Sequence, residues 1–255
     1  INILSGYEES RLIYLGGLQS LDIYNKKILL IDIGGGSTEF LIGEKGEVMI
    51  ASSLKVGAVR LTNKFSLNEK VSKSDLKNSK IFVKGAINQI VRALEDEKYD
   101  LAVGSSGTIT NIGSIICADN NPAADYEINL NGFIIKKKPF QTAIDKIYDA
   151  ETLSQRLSIP GLDPKRADII TAGAVILEQI FTDLKIEKMT LSSFALREGI
   201  IMNYIQQRSG EFDFGHLTDV RYSSVRHLGE RTNYDKAHSD QVLKLAKKIF
   251  DFVKL

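Results

Sequence analysis

The apolar run Ile28-Leu29-Leu30-Ile31 ends on Asp32-Ile33-Gly34-Gly35-Gly36-Ser37-Thr38-Glu39, and alternation resumes at once in Glu39-Phe40-Leu41-Ile42. A run without polar interruption reads as a strand covered on both faces, and consecutive glycines between two strands leave room for a tight turn only. Val48-Met49-Ile50-Ala51-Ser52 adds a third strand, so the segment reads as a strand-turn-strand meander. Any fold for this chain must hold a central strand whose end carries a turn rich in backbone amides.

The remaining periodicity builds an α/β domain with a mixed sheet around that strand. A strand end is expected at 1–4, helices at 7–18 and 74–97, and a short buried strand at Leu101-Ala102-Val103. That strand runs into the loop Gly104-Ser105-Ser106-Gly107-Thr108 and then a helix through Ile116. A polar loop at 118–125, a strand at 133–135 and helices at 139–153 and 164–184 follow, with Pro164 suited to a first helical turn. A strand at 189–192 and a helix at 196–207 complete the alternation. The stretch 209–215 reads as a linker, and 219–229 and 235–253 as amphipathic helices of another, all-α domain.

Composition narrows the partners. With 33 Lys+Arg against 32 Asp+Glu, the net charge of +1 gives no broad field to draw in nucleic acid or a membrane surface, so an anionic substrate must be held locally. The single cysteine, Cys117, lies in the apolar run Ile115-Ile116-Cys117-Ala118 and reads as a buried small hydrophobe, without an intrachain disulfide. No signal-peptide pattern or long apolar span is present, which points to the cytoplasm. The chain opens at Ile1 without an initiator methionine, as a piece of a longer protein would.

The glycine turn is the strongest chemical signal. Glycines adopting positive φ let successive N–H groups form a nest for phosphate oxygens, with Ser37 and Thr38 adding hydroxyls. The chain returns to a strand and has no Lys beside Ser37, so this is neither a dinucleotide fingerprint nor a P-loop; a hairpin with a capping Asp32 is the plainer alternative. Gly104 to Thr108, between a strand and a helix, would favour an anion at the helix start, or simply cap that helix. Ser5-Gly6-Tyr7-Glu8 matches a capping box that occupies Glu8, leaving Glu9 as either a solvated first-turn carboxylate or a base facing a cleft. Lys136-Lys137-Lys138 is a solvated basic run or a polyanion contact. His216, His227 and His238 are 11 residues apart, too widely spaced for a short zinc-ligand pair.

Several segments together resemble a family. Ser5-Gly6-Tyr7-Glu8-Glu9-Ser10-Arg11-Leu12-Ile13, Asp32 to Glu39, Leu54-Lys55-Val56-Gly57-Ala58-Val59-Arg60-Leu61, Gly104 to Thr108, Ile159-Pro160-Gly161-Leu162, Arg166-Ala167-Asp168 and Leu196-Arg197-Glu198-Gly199 occur in the order seen in exopolyphosphatase/guanosine pentaphosphate phosphatases. The resemblance implies an actin-like architecture, in which two ribonuclease-H-like domains close on a phosphate chain. Residues 1–208 would be the second of these domains and 209–255 the linker and first helices of a helical domain, with the preceding domain and most of the helical one lying outside this sequence.

By the same resemblance, Glu9 matches the base that activates water. Gly34, Gly35, Gly36 and Ser37 match a phosphate loop, and Asp32 and Glu39 match acidic positions near a divalent metal, with Mg2+ the expected ion. Gly104, Ser105, Ser106, Gly107 and Thr108 resemble a further loop on the ligand. The implied reaction is in-line attack of water on the terminal phosphorus of polyphosphate or a guanosine polyphosphate; family members often pair through the helical domain, of which this sequence holds only the start, so a homodimer and other oligomeric states stay open. Two other classes fit the same loops: a sugar- or acetate-kinase-like phosphotransferase using ATP, and a non-catalytic module binding guanosine tetraphosphate or polyphosphate.

Overall fold

The computed structural model describes residues 4–120, 129–209 and 234–253. The chain divides into two units, Ile1–Phe214 and Gly215–Leu255. The first contains helix α1 (Gly6–Ser20), the strands β1 (Ile28–Ile33), β2 (Thr38–Glu44) and β3 (Glu47–Leu54), and helices α2 (Ala58–Phe65) and α3 (Lys73–Leu94). Strand β4 (Leu101–Ser105), helix α4 (Ser106–Asn120), strand β5 (Ile134–Lys136), and helices α5 (Lys137–Asp149) and α6 (Leu153–Leu157) follow. A 3-10 turn at Pro164–Arg166 leads to α7 (Ile170–Asp183), β6 (Lys188–Leu191) and α8 (Leu196–Ser209). The second unit shows α9 (Lys236–Val253), where the Asp235 carboxylate accepts from the His238 amide at 3.0 Å.

The strands form one mixed sheet in the order β3-β2-β1-β4-β6-β5, with β1 antiparallel to β2 and parallel to β4, as expected of a ribonuclease-H-like domain. Alternation along β1 sorts its side chains between two cores. Leu29, Ile31 and Ile33 join the larger cluster, which takes in Val83 and Ile87 of α3 and Val175 and Ile176 of α7. Ile28 and Leu30 face the other way, onto Ile13 and Tyr14 of α1 and Val103 of β4. Asp32, next on that second side, is therefore carried to the end of the sheet beneath α1.

Several expectations change. The helix expected at 139–153 ends at Asp149, because Ala150 leaves the helical path, and Thr152 opens a new capping box with Gln155 for the separate helix α6. The helix at 164–184 begins only at Ile170; Pro164 instead opens a 3-10 turn capped by Asp163. Cys117 is half-buried at the edge of the larger core, and burial pushes its thiol up. Helix α2 was not foreseen. The expected strand at 1–4 has only Leu4 among the described residues, where it is in no strand; the linker at 209–215 (beyond Ser209, which ends α8), the helix at 219–229, His216 and His227 lie outside them. Among the described residues no helix is long and apolar enough to cross a membrane.

Candidate active site

Helix α1 starts as its sequence dictates. The Ser5 hydroxyl accepts from the Glu8 amide at 3.2 Å, and Glu8 returns its carboxylate to the Ser5 amide at 3.2 Å. Glu9, one residue on, is half-buried and free of capping duty. Close backbone packing fixes the helix above the sheet. A Cβ on Gly16 would stand 2.5 Å from Ala195 O, and one on Gly199 would stand 1.8 Å from Leu12 O, so glycines alone permit the α1–α8 approach. Arg11 Nη2 donates to Asn203 Oδ1 at 2.6 Å across the same crossing.

Beneath α1, Asp32 pairs in register with Glu39 on one side and Ser105 on the other. Asp32 is 6% exposed and Glu39 1%. Ser105 Oγ donates to Asp32 Oδ2 at 2.5 Å, and Ser53 Oγ donates to Glu39 Oε1 at 2.9 Å. Burial raises the Asp32 pKa to about 6 and that of Glu39 to about 7; the hydroxyl donors act against this, and the Glu9 charge adds to it in both cases. The charge of Glu9 therefore acts on both Asp32 and Glu39. Among the described residues no group of three or more His, Cys, Asp or Glu is arranged to hold a metal ion. Asp32 and Glu39, with the Ser105 and Ser53 hydroxyls on them, nevertheless offer oxygen donors of the kind a hard cation takes.

The glycine turn departs from expectation. None of Gly34, Gly35 and Gly36 lies in the left-handed region, so positive φ is not why glycine stands there. What the turn needs is proximity to α2. Ala58 N donates to Gly34 O at 2.9 Å and Arg60 N to Gly35 O at 3.0 Å, while Arg60 Nε reaches Gly36 O at 2.9 Å. A Cβ on Gly57 would lie 2.5 Å from Gly35 C and O and from Ser37 N. With three successive carbonyls turned to α2, the planar trans peptides point the amides of Gly35, Gly36 and Ser37 the other way, and among the described residues these amides donate to no protein group. Carbonyl capture by α2, and not positive φ, sets the path of the turn.

The second expected loop is not a loop, because β4 passes directly into α4. Gly104 lies within the sheet, where a Cβ would meet Met189 and Ile109. Ser106 carries the conformational break, at φ 72°, and its hydroxyl donates to Ile33 O at 2.6 Å. Thr108 is buried against Gly173 of α7. Gly107 lets the Arg166 guanidinium lie on the first turn of α4; a side chain there would meet it at 2.0 Å. Lys136, Lys137 and Lys138 fall at the far edge of the sheet, where Lys137 pairs with Glu187, and do not join the site. Arg60 and Arg166 are the residues that sequence reasoning left without a role. Their signal was a lone arginine three residues after Gly57 and another closing the 3-10 turn.

The mixed sheet in the order β3-β2-β1-β4-β6-β5, with helices packed on it, is an α/β domain of the actin-like class. The chain belongs to the Ppx/GppA phosphatase family, whose model matches residues 1–208. It is 31% identical over 249 residues to a guanosine-5'-triphosphate,3'-diphosphate pyrophosphatase of Vibrio cholerae, covering 98% of this chain and 46% of that protein. A protein of the same name from Pseudoalteromonas translucida is 29% identical over 245 residues, covering 96% and 46%. The chain thus spans about half the length of these relatives. Among solved structures, an exopolyphosphatase from Cytophaga hutchinsonii superposes with a TM-score of 0.70 at 23% identity, over 79% of this chain and 64% of that one. The Aquifex aeolicus member of the Ppx/GppA family gives 0.69 at 22%, over 82% and 65%. These two likenesses carry the fold.

Proposed function

We propose that this chain forms the catalytic part of a phosphoanhydride hydrolase that removes the terminal phosphate of inorganic polyphosphate or guanosine pentaphosphate. The observation that carries the reading is the meeting of Glu9 with Asp32 and Glu39 beside turn amides that have no protein acceptor. Glu9 takes a proton from water as it attacks phosphorus, and the Gly35, Gly36 and Ser37 amides receive the charge that builds on the phosphoryl oxygens. Asp32 and Glu39 would hold Mg2+, which neutralises phosphate charge when bound. The first turn of α4, from Ser106 to Thr108, with Arg166 against Gly107, offers a second anion contact.

The domain limits at 1–208 and 209–255, a cytoplasmic setting and pairing of two copies through the helical region belong to the same proposal. The test is Mg2+-dependent phosphate release from long-chain polyphosphate and from guanosine pentaphosphate by the full-length protein. Release from either supports the reading. Tight binding of both without release assigns a binding module instead.

A further inference from the structure

The glycine turn has a second side. Peptide planarity turns its free amides away from the carbonyls that α2 holds. On the α2 side the turn borders a shallow cavity of about 530 Å³, lined by Gly35, Gly36, Val59, Arg60 and Asn63 and by no carboxylate. Arg60 is exposed, and among the described residues it forms no ion pair. Its Nε is spent on Gly36 O at 2.9 Å, which fixes the plane of the guanidinium and leaves the terminal Nη groups over the cavity beside Gly36. Asn63 adds an amide one turn further along α2.

We infer that Arg60, with Asn63, binds a phosphate of the substrate that is not transferred, on the opposite side of the glycine turn from the reacting one. The ligand is a linear run of phosphoanhydride-linked phosphates, whether inorganic or at the 5' end of a nucleotide. The inference rests on the hydrolase reading for the place of the reacting phosphate. A held guanidinium edge presents parallel donors that match two phosphate oxygens, and its charge is permanent. A chain crossing the turn would then be gripped on both sides, by amides at the terminal phosphate and by Arg60 further along. Arg60 in this role sets affinity and register, and takes no part in proton transfer.

A structural staple is the competing explanation for Arg60, and one substitution separates the two. In Arg60→Gln the side-chain nitrogen sits on Cδ as Nε does, so the bond to Gly36 O can persist while the charge and the fork are lost. Tripolyphosphate binding to the full-length protein is measured by calorimetry in Mg2+ buffer, beside hydrolysis kinetics. We expect Arg60→Gln to weaken tripolyphosphate binding about 10-fold or more and to raise KM similarly, with kcat held within about twofold and Tm unchanged. Arg60→Lys should recover part of the loss. Equal affinity in wild type and Arg60→Gln overturns the assignment, as does a fall in kcat at constant KM, or failure of the wild type to bind tripolyphosphate. Binding without any phosphate release sinks the hydrolase reading instead, and the affinity comparison still decides the site.

Discussion

The carboxylates of Asp32 and Glu39 stand opposite one another across the β1/β2 ladder, both buried, with pKa values pushed up to about 6 and about 7. Two groups that resist ionisation at this spacing make the folded state bind protons that the unfolded chain has already released. Their ordinary values are 3.8 and 4.5, so the stability they contribute is fully present below those values and is lost as pH rises through about 6 and about 7. The urea midpoint of the metal-free protein should therefore fall from about pH 5 to about pH 8, and Asp32→Asn should flatten that slope. A divalent cation favours the ionised pair, so Mg2+ should stabilise more at the higher pH. An unchanged slope in Asp32→Asn removes the carboxylate pair as its cause.

Among the described residues, Glu9 is the one member of the trio whose side chain makes no hydrogen bond, and it sits on a helix whose cap is provided by its neighbour. Glu9→Gln keeps the shape and removes the base. Turnover should drop by roughly 10² to 10⁴ while affinity for tripolyphosphate stays nearly constant. Comparable turnover in the variant takes the base role from Glu9. Because the Glu9 charge also raises both partners, the same variant should shift the pH dependence of stability toward lower pH.

How much of this was legible depended on whether the controlling interaction was local. The capping box at Ser5 and Glu8, the apolar β1 and the β1–β2 turn are written within a few residues each, and the structure holds them as read. Helix α2 was missed although Ala58, Leu61, Thr62 and Phe65 carry helical spacing; its N-cap is Gly57, with no side-chain signal, and it is 8 residues long. The role of the glycines was misread for the same reason. Gly34 to Gly36 looked like a request for positive φ, whereas their carbonyls are held by a helix more than 20 residues on. Arg166 on Gly107 and the α1–α8 glycine contact are long-range pairings that no short pattern carries.

Two glycine substitutions separate the turn from its support. At Gly57 an added Cβ meets backbone atoms of Gly35 and Ser37 at 2.5 Å, with no flexible side chain to yield. Gly57→Ala should push the turn off α2 and lower kcat/KM by about 100-fold, while the global unfolding midpoint moves little, since the rest of the core is untouched. At Gly199 the clash is with Leu12 O, between two helices that carry Glu9 into place. Gly199→Ala should cost about 1–3 kcal/mol or more in urea denaturation and lower activity with it. The reverse ranking in stability would mean that the turn, not the α1–α8 crossing, is the stiffer element.

Arg156 sets the last expectation, because it is fully buried and among the described residues forms no ion pair. Its guanidinium donates to the carbonyls of Ala167, Ala150, Glu151, Asn68 and Glu69, tying three separate connections together. Burial lowers its pKa, yet carbonyl acceptors on every side keep the charge solvated by the chain itself. The three connections have no regular ladder of their own beyond the Lys70–Thr152 bridge. Removing the donor strands several carbonyls in a dry interior, so Arg156→Met should destabilise the domain by about 3–5 kcal/mol, far more than the loss of an exposed ion pair such as Lys137–Glu187 at about 0–1 kcal/mol. Arg156→Lys, with a compact ammonium in place of the five-donor fork, should recover less than half of that in the same denaturation experiment. Full recovery by lysine would show that charge, and not the geometry of the fork, is what the carbonyl cage requires.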